Sequence, residues 1–313
     1  MNKKIVVLGG GTGMSILLGG LKNFPLDITA IVSVSDDGSS TGRLREEFNT
    51  PAVGDIRRVL ISLSETEPLV EKLFNYRFVT CSDLDGHTIG NLILTGLKEI
   101  TGNLSEGIEA LSKVFNLKGK VLPLTEDNAI LMARMEDGSI VEGEHLITAS
   151  PKKIKDVFYK SKMEVTPGVI DAILNADAIV LSMGSIYTSI IPNLINKSLI
   201  EAIDKSNAKI MYACNMVTQP GETDNFKVSD HVKLLNKYLG NKKIEYVFAN
   251  NKEINEDILK KYQTTEQKDR VILDRDNLKD INLIENDYFV LVDNIVRHDS
   301  AKLAFDIFKE VFK

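Results

Sequence analysis

The 313-residue chain has no tryptophan, two cysteines and four histidines, and only 9 of its 38 basic residues are arginine. Cys81 and Cys214 stand far apart with no CxxC spacing, which excludes a disulfide scaffold and fits reduced thiols in a cytosol. The histidines, at 87, 145, 231 and 298, form neither HExxH nor a Cys/His zinc pattern. Apolar runs such as Ile28–Val34 fall far short of the roughly 20 residues that a membrane helix needs. At the N-terminus, Met1-Asn-Lys-Lys runs straight into Ile5–Leu8 and then glycines, which reads as a buried strand and not as a leader peptide. A net charge of −6 argues against general nucleic-acid binding, which favours basic domains. Repeats and low-complexity linkers are also missing, and a hydrophobic fraction of 43% is that of an ordinary folded chain. These absences predict a cytoplasmic protein with no membrane span and no nucleic-acid partner.

What is present alternates between strand and helix. Lys4–Leu8 and Ile28–Val34 are continuous β-branched runs, as expected of strands buried on both faces of a parallel sheet. Between them lie glycines and a helical stretch, Met14–Leu21. The order strand, loop, helix, strand predicts an α/β fold with a doubly wound, mostly parallel, Rossmann-like sheet. Helices are predicted at Asp55–Leu63, Pro68–Phe74, Thr88–Ile100 and Gly168–Asn175, then near 229–239, 255–263 and 300–312. Further strands are predicted at Ala178–Leu181, Lys209–Cys214, Glu245–Ala249 and Arg270–Leu273. Residues 118–160 carry short strand-like runs around a Glu-Asp-Gly turn and read as a small β-rich insertion within one domain spanning 1–313.

Several loops have the composition of a ligand site. Gly9-Gly10-Gly11-Thr12-Gly13 joins the first strand to a helix, where small residues admit a ligand to free N–H groups or simply make a tight turn. The third glycine of GxGxxG is replaced by Met14 and no GxxxxGK[ST] occurs, so neither a dinucleotide fingerprint nor a P-loop is present. Ser35–Arg43 leaves the second strand with Asp36, Asp37, Ser40 and Arg43, suited to a ribose, a phosphate or Mg²⁺ held by Asp36 and Asp37, or to a polar turn. Arg43, Arg45, Arg57 and Arg58 fall within sixteen positions and are candidate anion readers, the alternative being an exposed helix face paired to Glu46 and Glu47. Asp55 and Thr88 open helices as N-caps or site residues, and Asn91 sits in a first turn where its amide can face a ligand. His87, in a Gly-rich loop, and Asp55 are the candidate catalytic acid or base, although a structural hydrogen bond also explains His87. A second glycine-and-hydroxyl loop, with Gly184, Ser185 and Thr188, repeats the logic of the first, and facing loops at a switch point would grip a diphosphate. That loop has no GxSxG, so Ser185 is no hydrolase elbow. The stretch 214–223 adds Asn215 and Thr218, and Arg297-His298-Asp299 precedes the last helix.

The segments 5–15 (IVVLGGGTGMS), 33–46 (SVSDDGSSTGRLRE), 54–60 (GDIRRVL), 86–97 (GHTIGNLILTGL), 184–194 (GSIYTSIIPNL), 214–223 (CNMVTQPGET) and 297–299 (RHD) together resemble the bacterial gluconeogenesis factor family, also called YvcK. That family shares a superfamily with 2-phospho-L-lactate transferase. The resemblance implies a cytoplasmic protein that binds UDP-sugars, notably UDP-N-acetylglucosamine. It implies a regulator needed for cell shape and peptidoglycan precursor supply during growth on gluconeogenic carbon, acting on a cell-wall precursor enzyme, with a homo-oligomer expected. It places Thr12 and Asn193 in the nucleotide-sugar loops and matches Tyr262 and Arg297 to UDP-sugar-binding positions, where Tyr262 would stack on uracil. Ser39 stands where a second glycine is common in the family. The alternative is a transferase moving a phosphorylated group from a nucleotide-linked donor.

Overall fold

Seven residues at the N-terminus, Lys3–Gly9, form the central strand β1, whose alternate side chains enter opposite cores: Ile5 and Val7 on one face, Val6 and Leu8 on the other. The computed structural model describes residues 2–293 and 295–313. The strands that follow are β2 (Leu26–Val32), β3 (Lys120–Pro123), β4 (Leu131–Met135), β5 (Ile140–Glu142) and β6 (Ile154–Tyr159). Then come β7 (Ala178–Leu181), β8 (Lys209–Ala213), β9 (Tyr246–Asn250), β10 (Asn282–Asn286), β11 (Phe289–Val292) and β12 (Ile295–His298). Seven of them build one sheet in the order β10-β9-β8-β7-β1-β2-β3, with every neighbouring pair parallel. The chain winds outward one way from β1 through β2 to β3, then crosses back to β7 and winds the other way. The expected doubly wound sheet is therefore present, and its switch point lies between β1 and β7.

Helices cover both faces, as a parallel sheet requires. In chain order the first are α1 (Gly11–Leu21), α2 (Ser39–Phe48), α3 (Gly54–Leu63), α4 (Pro68–Asn75), α5 (Ile89–Thr101), α6 (Leu104–Val114) and α7 (Glu144–Ala149). α1 packs against α3 and the C-terminal helix Ser300–Phe312 on the face lined by Ile5 and Val7. The other face is covered by the helices at 191–194, 197–205 and 228–235 and by the small sheet β5-β4-β6.

Three features depart from the sequence reading. Lys120–Pro123, read with the β-rich insertion at 118–160, is the edge strand of the main sheet, and the separate antiparallel sheet starts only at Leu131. Strand periodicity cannot tell one sheet from another; the tertiary partner, here β2, decides. Ser39–Phe48 is a helix where a longer loop was expected, because Thr41, Leu44 and Arg45 bury one side of it. Arg270–Leu273 makes only isolated bridges, Val217 with Arg270 and Lys227 with Ile272, since no continuous strand lies beside it. β10 and the hairpin β11-β12 complete the C-terminal third, with β10 too polar (NLIEN) to announce itself.

Candidate functional site

The carboxyl ends of β1 and β7 carry the two glycine-containing loops, and the switch point brings them together. Between them opens a cleft of about 320 Å³. Gly10, Gly11, Thr12 and Gly13 line it from the first loop, Gly184, Ser185 and Thr188 from the second, and Asn215 and Arg297 complete the expected set. Gly11 has φ +67, a left-handed backbone that favours glycine, and it starts α1. Its N–H is already donated to Asp55 Oδ2 at 2.6 Å. The following first-turn amides of Thr12 and Gly13 have no intrahelical acceptor and stand at the positive end of the helix.

The second loop is held from two sides. Asn215 clasps Gly184 reciprocally, accepting its N–H at 2.9 Å and donating to its carbonyl at 2.7 Å. Ser185 Oγ accepts from the Thr188 amide at 3.0 Å and faces both oxygens of the Glu222 carboxyl, at 2.8 and 2.6 Å. A π-helical turn, Ile186–Ile190, follows and runs into Pro192 in the short helix Ile191–Leu194. Burial pushes the Glu222 carboxyl up to about 7, partly offset by the Ser185 hydroxyl and the Tyr187 amide. Glu144, from α7 at the edge of the small sheet, also lines the cleft, and burial raises its pKa, helped by the charge of Asp36. Neither glutamate was singled out from the sequence. Glu222 lay in a quoted motif, but Glu144 lies in the insertion and nothing local marks it. The cleft thus combines first-turn amides, Arg297 and Lys268 for an anion with the Glu144 carboxyl, whose pKa burial raises, while Glu222 lies behind Ser185.

The remaining predicted residues are arranged around this cleft but do not line it. Asn193 is buried beneath both loops, donating to Ser189 O at 2.9 Å and more weakly to Gly9 O at 3.4 Å. Thr218 exchanges hydrogen bonds with the Asp269 backbone at 2.7 and 2.9 Å. Tyr262 is buried with Met216, Ile254 and Val296, and its hydroxyl accepts the Val296 N–H at 2.7 Å. Its ring faces are enclosed, so it sets the backbone next to Arg297 and is not an open platform for a base.

Asp55 and His87, the candidate acid and base, part company. Asp55 lies under the first loop, paired with Arg58 at 2.5 Å, and burial raises its carboxyl to about 6, aided by nearby Asp36. It belongs to the first turn of α3 but caps α1, a neighbouring helix. His87 is buried outside the cleft lining with Ser40 and Asn91: its Nδ1 is 3.0 Å from Ser40 Oγ, which also accepts from Asn91 Nδ2 at 3.2 Å. Burial, then Arg43, lowers its pKa. Thr88 is a plain N-cap. Asp37 accepts the His145 N–H at 2.7 Å and so anchors α7, while Asp36 accepts from Gly38 at 3.0 Å and reaches toward Gly54 beside Asp55. Among the described residues no three His, Cys, Asp or Glu side chains gather as a metal centre would need.

Within the arginine cluster, Arg45 is scaffold, while Arg43, Arg57 and Arg58 each make one side-chain hydrogen bond. Arg45 donates to Ser35 O, Asp36 O, Asn128 Oδ1 and Ala129 O; Arg43 holds the Asp85 carbonyl; Arg57 bonds Asn75. A guanidinium committed to protein acceptors has few donors left for a ligand. Arg297 is different: among the described residues no hydrogen bond or ion pair engages its side chain.

Fold and cleft together define a Rossmann-like α/β protein with a helix-N-terminus site at its switch point. The chain belongs to the family described as 2-phospho-L-lactate transferase CofD, whose model matches residues 5–288. It is 45% identical to the gluconeogenesis factor of Halalkalibacterium halodurans over 306 residues, 96% of this chain and 94% of that one. It is also 45% identical to the gluconeogenesis factor of Bacillus subtilis, covering 98% of each. A crystal structure of a UPF0052 family member from Bacillus halodurans superposes with a TM-score of 0.94 at 43% identity, covering 98% of this chain and 99% of that one.

Proposed function

We propose that this protein is a gluconeogenesis factor that binds a UDP-sugar, UDP-N-acetylglucosamine first among them, in the switch-point cleft. In this reading the diphosphate lies across the Thr12 and Gly13 amides and the Gly184–Ser185 loop, with Arg297 neutralising charge. The observation that carries it is the guanidinium of Arg297, which no hydrogen bond or ion pair engages among the described residues, in the lining of the same cleft as Thr12, Gly13 and both loops. The shared name of the relatives, gluconeogenesis factor, supports a link to gluconeogenic carbon; within this proposal the protein is a cytoplasmic regulator of cell shape and peptidoglycan precursor supply. It would act on a cell-wall precursor enzyme, as a homo-oligomer.

If Mg²⁺ accompanies the diphosphate, Asp36, whose charge acts on the cleft-lining Glu144, is the expected carboxylate left to hold it, since Asp37 is committed to the His145 N–H of α7. Bound there, the ion would neutralise phosphate charge.

Calorimetric titration with UDP-N-acetylglucosamine, UDP and GTP, with and without Mg²⁺, tests the proposal. Saturable binding near a micromolar Kd, worth about −8 kcal/mol, is expected for the sugar nucleotide and is lost in Arg297→Ala. GTP binding with silence toward UDP-sugars would instead support the second reading, a phospho-group transferase. That reading is favoured by the name of the matched family. His87 is poorly placed to serve it, because the residue is outside the cleft.

A further inference from the structure

Arg297 and His298 end β12 and lie in a wall common to the cleft and to a second chamber of about 850 Å³. Thr12 and Ile16 are shared too, so the two spaces form one trough with this pair at the junction. The second chamber continues between α1, α3 and the β11-β12 hairpin, past Ile61, Ser62 and Val290. A cleft of about 320 Å³ is at the small end of the range of roughly 300–1,000 Å³ for ligand sites, which leaves the second chamber for the rest of a two-part ligand.

The chemistry at the junction follows from one hydrogen bond. His298 Nε2 is 3.0 Å from the backbone oxygen of Cys214 at the end of β8. A carbonyl only accepts, so Nε2 carries the proton and Nδ1 is left as a lone-pair acceptor. No hydrogen bond to Nδ1 occurs among the described residues. Burial also pushes the His298 pKa down to about 4, so the ring is neutral at physiological pH. A donor-only cation, Arg297, therefore stands beside an acceptor-only nitrogen.

We propose that His298 is the residue that makes the site prefer a sugar-linked diphosphate to the free nucleoside diphosphate, its Nδ1 accepting from a sugar hydroxyl or amide next to the phosphate held by Arg297. The terminal phosphate of a free nucleoside diphosphate offers only acceptor oxygens and an extra negative charge, both repelled by a lone pair. A sugar in the same place presents O–H or N–H donors. This inference rests on the nucleotide-sugar reading above and adds what the protein senses: the sugar nucleotide and not the UDP left after transfer.

The test is the ratio of Kd values for UDP and UDP-N-acetylglucosamine, measured by calorimetry on the full chain, wild type against His298→Gln and His298→Ala. Glutamine keeps an N–H for the Cys214 carbonyl but has no acceptor at the Nδ1 position. Loss of one neutral hydrogen bond reduces the ratio by about three- to tenfold in both variants. Full discrimination in His298→Gln, with loss only in His298→Ala, would overturn the proposal and leave His298 a structural tie. If wild type binds UDP and its sugar derivative equally, the proposal fails while the nucleotide site stands. If neither binds, the nucleotide-sugar reading itself fails. Should the variants not fold, the ¹⁵N imidazole signals of the wild type decide: the His298 Nδ1 resonance shifts with UDP-N-acetylglucosamine and not with UDP, and an unmoved resonance refutes the assignment.

Discussion

Replacing Gly13 by alanine puts a methyl group where the two loops of the site touch. A Cβ there would lie 2.1 Å from the Met183 carbonyl oxygen and 2.7 Å from its carbon. Both clashing partners are backbone, so no rotamer change relieves the overlap, and the loops at the ends of β1 and β7 must separate by more than about 1 Å to restore contact near 3.4 Å. Overpacking of this kind costs about 1–3 kcal/mol, and a backbone clash belongs at the upper end. Alanine in a helix gains up to about 1 kcal/mol over glycine. Gly19, on the same helix with no atom within 4 Å of its Cβ position, isolates that gain. Scanning calorimetry on ligand-free protein should therefore show Gly19→Ala melting slightly above wild type. Gly13→Ala should be about 2 kcal/mol less stable than wild type, or roughly 3 °C lower in a chain this size. Gly13→Ala should also fail to bind UDP-N-acetylglucosamine. A Gly13→Ala variant as stable as Gly19→Ala, with its ligand affinity intact, would show that the loops do not meet as described.

Glu222 makes stability depend on pH. Its carboxyl is raised from 4.5 to about 7, so the folded state keeps a proton that the unfolded chain has released. Its stabilising contribution is complete below the unfolded value and is lost as pH rises toward the folded one, by about 3 kcal/mol in all. Glu222→Gln removes this slope, so the variant should gain on wild type between about pH 5 and pH 8 in thermal melts; parallel curves would contradict the burial argument. Tyr262→Phe leaves the buried Val296 N–H without its acceptor, which costs about 1–3 kcal/mol. It should also weaken UDP-sugar binding through the neighbouring Arg297, although Tyr262 lines no part of the cleft; unchanged affinity in a titration would separate the two residues. Ser39 has φ +45, which explains why glycine suits this position. Ser39→Gly should raise the denaturation midpoint by an amount equivalent to about 0.5–1 kcal/mol, and a lowered midpoint would mean the hydroxyl has a partner that matters more than the strain.

The first half of the sheet was legible because its signals are local. β1, α1 and β2 read directly from β-branched runs and an intervening glycine turn, and Gly10–Gly13 followed with them. Long-range choices were not legible. Whether Lys120–Pro123 joins the main sheet depends on β2, almost ninety residues earlier. Arg297 reaches the cleft through the β11-β12 hairpin, and the resemblance, not periodicity, pointed to it. Polar loops near Asp36, Arg43 and His87 have the composition of a ligand site, yet Asp37, Arg43 and the Ser40–His87 pair spend hydrogen bonds on the protein itself, while the buried Asn91 Oδ1 has no partner among the described residues. Composition counts the polar groups in a loop; only the fold says which of them remain unpaired.

A crystal structure of the protein with UDP-N-acetylglucosamine should show diphosphate oxygens within hydrogen-bonding distance of the Thr12 and Gly13 amides, with the Arg297 guanidinium on the same phosphates and the sugar directed toward His298. A ligand bound instead against Ser40, Arg43 and Asn91, with the switch-point cleft empty, would refute the proposed site.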